Sequence, residues 1–211
     1  MSATERAYDF TKSRILDGRF DGGALISEGE VAGQVGLSRT PVREAFLRLE
    51  TEGLLRLYPK RGALVVPVSA DEIEHVMETR LLVERNAIER VVRLGAPLAD
   101  DLNESLARQT GLISEGLDQE FAEADREFHR LFVTAAGNPI LLALHDSLRD
   151  RQSRMNLAAM GRDQHRAEQI LVEHERLASA VIAGDVRRAQ AILETHLQGT
   201  LTLLRPRIRG S

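Results

Sequence analysis

Residues 38–45 read Ser38-Arg39-Thr40-Pro41-Val42-Arg43-Glu44-Ala45, and this stretch decides the fold of the N-terminal part of the chain. Ser38 or Thr40 can cap a helix, and Pro41 suits the first turn, where a missing amide hydrogen needs no partner. Gly53 is expected to end that helix, because glycine readily follows a helical C-terminus. The stretch therefore predicts a short helix whose apolar face carries Val42, Ala45, Phe46 and Leu49.

The segments on either side of this helix have the order of a winged helix-turn-helix domain. Ser27-Glu28-Gly29-Glu30 has the form of a capping box and should start the preceding helix, which ends at Gly36. Alternating apolar residues after Gly53 predict a hairpin whose turn is formed by residues 58–62. We therefore expect residues 1–69 to form one domain, with a first helix over about 4–16 and strands over 54–57 and 63–68.

Basic and hydroxyl side chains at the start of the central helix have the chemistry needed to bind DNA bases. A recognition helix presents its N-terminal residues to the major groove, and Arg can donate two hydrogen bonds to guanine. Arg39 and Arg43 are four residues apart and share one face, while Lys60 and Arg61 lie in the predicted turn of the wing. Two Arg residues at this spacing are more often a solvated surface, but the order of the elements favours DNA binding.

Residues 25–63 resemble the GntR family of bacterial regulators, and the segment 37–45, LSRTPVREA, carries the most specific part of the likeness. The resemblance covers most of residues 5–68 and implies a transcriptional regulator that binds operator DNA. Many relatives carry a basic residue in the helix before the turn, where this chain has Gly29. The DNA contacts that the resemblance implies come from Ser38, Arg39, Thr40, Arg43 and the wing around Gly62.

From Asp71 onward nearly every segment has helical periodicity, so we expect residues 70–211 to form an antiparallel all-α bundle. Glycine and proline near 95–97, 137–139, 161 and 184 supply the breaks, with a weaker boundary at Gly116. The fold class is therefore mainly α, with the small wing as its β part. Six helices are predicted, over about 71–94, 98–114, 117–136, 138–160, 163–183 and 185–205.

Three histidines and one aspartate lie on apolar faces of the predicted bundle helices. Asp125 and His129 are one helical turn apart, on or beside a stripe of three phenylalanines. His174 and His196 each fall between aliphatic residues of later helices. Buried imidazoles need partners, and Asp with three His suits a divalent Zn, Ni, Mn or Fe ion. From the residues alone, a metal site and a hydrogen-bonded histidine core are about equally good explanations.

Four short stretches of the bundle resemble the FCD ligand-binding domain of the FadR branch of GntR regulators, at residues 78–84, 125–129, 173–177 and 195–197. A count of six helices resembles the VanR-type subgroup in particular. The resemblance implies that a metal is held at the bottom of a pocket inside the bundle. The ligands that it implies are Asp125, His129, His174 and His196.

Arg80 and Glu84 share the buried stripe of the first bundle helix. They can form a structural ion pair, or Glu84 can hold the Arg80 guanidinium toward an anionic ligand, which Arg binds with two donors. The FCD resemblance favours the second interpretation and a small organic acid as effector. Arg151, expected on the inward face of the fourth bundle helix near Leu148 and Met155, is a weaker candidate for the same role.

Composition narrows the class of protein. The 211 residues carry a net charge of -4, which argues against binding nucleic acid over the whole surface but allows a local basic patch. Without Cys, the chain has neither disulfides nor thiolate metal sites. Residues 1–24 lack the apolar core of a signal peptide, and no apolar run reaches the roughly 20 residues that span a bilayer, so we expect a cytoplasmic protein with no membrane partner.

The sequence as a whole predicts a homodimeric repressor or activator, not an enzyme, whose operator affinity responds to a small carboxylate. An isolated DNA-binding head offers little surface for a specific site, so we expect a dimer on a two-fold related operator, held by the helical domain. The alternative is a helical metalloenzyme that uses Asp125 and the three histidines for hydrolysis or oxygenation. The N-terminal domain and the lack of an obvious general base count against it. A purely structural metal is a third possibility.

Overall fold

The computed structural model describes residues 1–159 and 165–204, without the side chains of residues 156–159. The chain divides into two compact units, Met1–Ser69 and Ala70–Ser211. Each unit buries its own set of apolar side chains. Across the described ranges, no helix is long and apolar enough to cross a membrane.

The N-terminal unit is a winged helix-turn-helix fold. Its elements are α1 (Ala3–Leu16), β1 (Leu25–Ile26), α2 (Glu28–Val35), α3 (Arg39–Thr51), β2 (Leu55–Tyr58) and β3 (Gly62–Val65). Strand β3 lies in the centre of an antiparallel sheet and pairs Leu64 with Leu25 of β1 and with Arg56 of β2. The three helices and the hairpin confirm the predicted order. Strand β1 was not predicted, because two residues are too few to show an alternating pattern.

Local hydrogen bonds explain where α2 begins and ends. The Ser27 hydroxyl accepts the Glu30 amide at 3.1 Å, and the Glu30 carboxylate accepts the Ser27 amide at 2.9 Å, which completes the predicted capping box. Gly36 ends the helix in the left-handed conformation, with φ of 69°. Ser38 then occupies the N-cap position of α3 and is exposed. The turn between α2 and α3 therefore leaves the first turn of α3 at the surface.

The apolar face of α3 fixes that helix against its own unit. Val42, Ala45, Phe46 and Leu49 are each no more than 1% exposed, as predicted. Burial of a large apolar side chain contributes about 1.5–3 kcal/mol. The Glu50 carboxylate also accepts the amide of Leu57 at 2.8 Å, which joins α3 to β2. The opposite face of α3 carries exposed side chains.

Seven helices form the described part of the C-terminal unit: α4 (Ala70–Leu94), α5 (Ala99–Glu115), α6 (Asp118–Ala135), α7 (Pro139–Asp146), α8 (Arg149–Ala159), α9 (Arg166–Ile182) and α10 (Val186–Leu204). The single helix predicted over 138–160 is wrong, because Ser147 and Leu148 separate α7 from α8. Neither residue is a glycine or proline, so the sequence carries no break signal there. The expected six helices become seven, which removes the helix count as a reason to choose the VanR-type subgroup.

Helix α6 packs against α4, α5, α7 and α8. Phe121, Phe128 and Phe132 of α6 are 7%, 0% and 0% exposed, which confirms the predicted stripe. Helix α9 packs against α5 and α10 on another side of the bundle. The turn at Gly116, with φ of 70°, joins α5 to α6 at the predicted boundary. This packing brings the inward faces of α6, α9 and α10 toward one another.

Candidate functional site

Four predicted ligand residues meet inside the C-terminal unit. Asp125 and His129 lie on α6, His174 on α9 and His196 on α10, and one ligand atom from each lies within 4.8 Å of all the others. His129 Nε2 is 3.1 Å from His196 Nε2 and 3.2 Å from His174 Nε2. Asp125 Oδ1 is 3.5 Å from His174 Nε2. All three imidazoles are buried, with exposures of 0% for His129 and His174 and 1% for His196.

An oxygen acceptor lies beside the outer nitrogen of each imidazole, always at 2.7 Å. His174 and His196 form hydrogen bonds through Nδ1, and His129 Nδ1 lies at ion-pair distance from Glu84 Oε2 without hydrogen-bond geometry, so we assign the ring proton to Nδ1 in all three. Each Nε2 then carries a lone pair that points at the other two rings. The pairs of histidine and acceptor are His129 with Glu84 Oε2, His174 with Gln109 Oε1, and His196 with Glu173 Oε2.

The surroundings keep at least two of these rings neutral at neutral pH. Burial lowers the pKa of His174 well below its ordinary value, and the neighbouring His129 and His196 lower it further. Burial also lowers the pKa of His129, although the Glu84 carboxylate opposes that effect. A neutral imidazole is the form that binds metal, because only that form has a free lone pair.

The donor set fits a single divalent ion. Nitrogens bonded to one ion at about 2.0–2.1 Å lie roughly 3.0–3.4 Å apart, so the 3.1 and 3.2 Å separations suit ligands of one ion. Three buried lone pairs directed at one point would repel each other without a positive charge between them. Three imidazole nitrogens and one carboxylate oxygen suit Zn, Ni, Mn or Fe.

Arg80 and Glu84 form a buried pair next to this cluster, with exposures of 3% and 0%. Arg80 Nε donates to Glu84 Oε1 at 2.8 Å. Burial disfavours the Glu84 carboxylate, but Arg80 and His129 outweigh that effect and hold its pKa well below the ordinary value. His145 Nε2 lies 3.5 Å from the same Oε1. Among the described residues, Arg80 Nη2 is buried and has no hydrogen-bond partner.

The inward placement expected for Arg151 is wrong. Its side chain is 45% exposed and lies 3.5 Å from Glu72. Arg154 is the buried arginine of α8, at 6% exposure, and its Nη2 donates to both oxygens of Glu72 at 3.1 and 3.0 Å. Leu148 and Met155, on which the expectation rested, are buried at 7% and 1% together with Gln152 and Arg154, so the buried face of α8 passes beside Arg151 and leaves it exposed.

The residues predicted to contact DNA lie at the surface of the N-terminal unit. Ser38, Arg39, Thr40 and Arg43 are all exposed on or before the first turns of α3. The Arg43 side chain is 73% exposed, and its Nε is 4.0 Å from Glu28, so only a weak ion pair holds it. Arg39 lies against Gly29 of α2, where a Cβ atom would be 3.3 Å from its Nη2.

The wing presents the second predicted group. Lys60 and Arg61 are exposed in the turn between β2 and β3, and the Arg61 amide donates to Tyr58 O at 3.0 Å. Gly62 has φ of 101°, and a Cβ atom there would lie 2.4 Å from Ile26 O. Only glycine fits this position, because both the backbone conformation and the contact with β1 exclude a side chain. The wing turn is therefore fixed against β1.

Three contacts around the histidines were not predicted: those of Gln109 with His174, Glu173 with His196, and Glu84 with His129. Gln109 is 0% exposed on α5, a polar residue at a fully buried position. Glu173 precedes His174 and faces His196 of the neighbouring helix. The only available signal in the sequence was a polar residue on an apolar helix face. The partners could not be predicted, because Gln109 and His174 are 65 residues apart in the chain and Glu173 and His196 are 23 residues apart.

Comparison with known proteins agrees with this architecture. Residues 3–65 match the bacterial regulatory proteins of the gntR family, and residues 75–199 match the FCD domain. The chain is 31% identical over 180 residues to the uncharacterized HTH-type transcriptional regulator YdhC of Bacillus subtilis (strain 168), covering 82% of this chain and 78% of that protein. It is 30% identical over 193 residues to the probable D-xylose utilization operon transcriptional repressor of Paenarthrobacter nicotinovorans, covering 92% and 84%.

A solved structure shows the same fold. It is the crystal structure of a putative transcriptional regulator GntR from Rhodococcus sp. RHA1, with a TM-score of 0.80, 23% identity, and coverage of 97% of this chain and 98% of that one. The two family matches together span both compact units. The chain therefore belongs to the GntR family of bacterial transcriptional regulators and carries an FCD domain.

Proposed function

We propose that this regulator holds a divalent metal in its FCD domain, binds a small carboxylate beside it, and changes its operator affinity in response. The observation that carries the proposal is the convergence of three buried Nε2 atoms, each on a ring whose Nδ1 faces an acceptor. Such an arrangement presents lone pairs to a cation and keeps the rings oriented. Asp125, His129, His174 and His196 would hold the ion.

Arg80 supports an anionic effector. Its guanidinium is buried, and its Nε donates a hydrogen bond to Glu84. Its Nη2 has no hydrogen-bond partner among the described residues. A buried donor without a partner costs about 1–3 kcal/mol, and a ligand oxygen would remove that cost. Four protein ligands also leave positions open on a six-coordinate ion, which a carboxylate can fill. Sugar acids, hydroxy acids and fatty-acid derivatives are the expected classes.

DNA contacts are proposed for two surfaces of the N-terminal unit. The exposed first turns of α3 carry side chains that can donate to base edges and phosphates. The wing carries two exposed cations beside a fixed glycine turn. The proposed residues are Ser38, Arg39, Thr40 and Arg43 on the helix side, and Lys60, Arg61 and Gly62 on the wing.

A homodimer is proposed through the FCD domain. Ile140 and Leu144 of α7 are 79% and 43% exposed and lie one helical turn apart, so they form an apolar stripe at the surface. Association through such a stripe would place two DNA-binding units in one assembly. Light scattering should give a dimer for the parent chain and a smaller mass for Ile140→Glu. A parent monomer at micromolar concentration, with and without DNA, would contradict this part of the proposal.

The alternative of a helical metalloenzyme is less well supported. The chain belongs to a family of transcriptional regulators, and its N-terminal unit matches that family separately. A purely structural metal is separated from a sensing role by experiment. Metal-loaded and chelator-treated protein should be screened by thermal shift against gluconate, lactate and octanoate. A sensing site predicts a shift with one carboxylate that disappears on metal removal, whereas a structural metal predicts no carboxylate shift in either sample.

A further inference from the structure

A second arginine reaches the metal cluster through one intermediate residue. Arg166, in the first turn of α9, is 11% exposed and pairs with Glu173 through both nitrogens, Nη1 to Oε1 at 2.9 Å and Nη2 to Oε2 at 3.1 Å. The same Oε2 accepts His196 Nδ1 at 2.7 Å. Arg166, Glu173 and His196 are therefore connected in series, and the series ends at the Nε2 that faces the other two imidazoles.

The Arg166 guanidinium packs against helix α10. Arg166 Nη2 is 3.4 Å from Thr200 Oγ1, and a Cβ atom on the adjacent Gly199 would lie 3.1 Å from the same nitrogen. Glycine in the interior of a helix costs about 0.5–1 kcal/mol relative to alanine. Here the missing side chain leaves room for the guanidinium. The helix therefore carries a locally unfavourable residue at the point where Arg166 packs.

We propose that Arg166 is a positioning residue of the metal centre, that it acts through Glu173 on His196, and that Gly199 makes room for it. The inference rests on the proposed metal site. An Arg–carboxylate pair with two parallel hydrogen bonds fixes both the distance and the plane of the carboxylate. Glu173 is 24% exposed, so without that pair its carboxylate can turn toward solvent. His196 would then lose the fixed acceptor that orients its ring.

Two variants test this without changing the charge near the ion. Arg166→Lys keeps the positive charge but cannot form the two parallel bonds, and Gly199→Ala crowds the guanidinium, because its Cβ would lie 3.1 Å from Nη2 and that nitrogen must shift by a few tenths of an ångström. Co²⁺ affinity should be measured by competition with a chromophoric chelator, together with the visible spectrum of the bound Co²⁺. Each variant should bind Co²⁺ roughly 3- to 10-fold more weakly, below the roughly 10- to 100-fold expected for Glu173→Gln.

A double-mutant cycle shows whether Arg166 acts through Glu173. In a Glu173→Gln background, Arg166→Lys should have no further effect on Co²⁺ affinity, because the connecting residue is already neutral. Arg130→Lys is the matched control, since Arg130 forms a similar two-bond pair with Asp146, at 2.7 and 3.0 Å, and among the described residues Asp146 accepts no hydrogen bond from His129, His174 or His196. That control should bind Co²⁺ as the parent does.

The possible outcomes separate this inference from the site on which it rests. A parent that binds no Co²⁺ would overturn the proposed metal site and this inference with it. A parent that binds Co²⁺, with unchanged affinity and spectrum in both Arg166→Lys and Gly199→Ala, would overturn only the positioning role. Equal losses in the single variant and in the Glu173→Gln background would show that Arg166 acts on the ion directly. Unfolding temperatures of the metal-free proteins identify any variant that fails to fold. If Arg166→Lys fails to fold, the Co²⁺ affinity of Gly199→Ala tests the positioning role.

Discussion

His129 Nε2 lies 3.1 Å from His196 Nε2, and the outer nitrogens of both rings face carboxylates, Glu84 for His129 and Glu173 for His196. With the ring protons assigned to Nδ1, neither Nε2 can donate a hydrogen bond to the other across this buried contact. Proteins satisfy buried polar atoms almost without exception. A cation between the rings satisfies both nitrogens, together with His174, in one step.

The purified protein should hold about one divalent ion per chain, since four ligands converge on one point. Replacing His174 and His196 together by alanine should remove the ion, because two remaining ligands bind divalent metals weakly. Elemental analysis measures the content, and His75→Ala, at an exposed position of α4, is the control. Full occupancy in the double variant would place the metal elsewhere in the chain.

Arg80→Lys should weaken the binding of an identified carboxylate effector while leaving the metal content unchanged. Lysine keeps the charge that Glu84 requires but loses the planar guanidinium whose Nη2 has no partner among the described residues. Arg80→Ala is less informative, because breaking a buried ion pair costs about 3–5 kcal/mol of stability. Isothermal titration calorimetry is the measurement. If Arg80→Lys binds the effector as tightly as the parent, Arg80 is only a structural partner of Glu84.

The sequence predicts elements and inward faces well where local signals exist. The capping box at Ser27, the glycine at Gly116 and the phenylalanine stripe of α6 each act within a few residues, so each is visible in the chain. The break at 147–148 has no such signal, although α7 and α8 both pack against α6.

The sequence indicated which four residues cluster inside the bundle, but not the contacts that surround them. His129, His174 and His196 stand out because imidazoles on apolar stripes are unusual. Gln109 reaches His174 from another helix, and only the fold brings the two together. Sequence periodicity gives the face of a residue, whereas the identity of its neighbour depends on how two helices pack. The contacts between the histidines and residues of other helices could therefore be identified only from the structure.

Arg43→Ala should weaken binding to a cognate operator by about 1–3 kcal/mol if the side chain contacts a base with two donors. The Arg43 side chain is 73% exposed, so its loss should not affect folding. Fluorescence anisotropy with an operator selected from random DNA measures the affinity. Arg19→Ala, at an arginine whose side chain is 65% exposed outside α3 and the wing, is the control. Equal operator affinity for Arg43→Ala and the parent would refute this contact.

Gly62→Ala should destabilise the N-terminal unit and weaken operator binding together. The residue has φ of 101°, and its new Cβ would lie 2.4 Å from Ile26 O, so the wing or β1 must move. Strain of this kind costs about 1–3 kcal/mol. Gly33→Ala, on a helical position of α2 with open space around it, should instead leave stability equal or slightly higher. Thermal unfolding of both variants decides, and equal melting temperatures would show that the wing tolerates a side chain.

Operator affinity in the presence and absence of effector, for metal-loaded and metal-free protein, tests the central claim most directly. Fluorescence anisotropy with one labelled operator gives the four dissociation constants. Coupling between two sites is typically about 1–3 kcal/mol, which corresponds to roughly 5- to 150-fold in affinity. The proposed function predicts a change of that size when effector is added to the metal-loaded protein, and none when it is added to the metal-free protein. The same operator affinity in all four conditions, with an effector shown to bind, would contradict it.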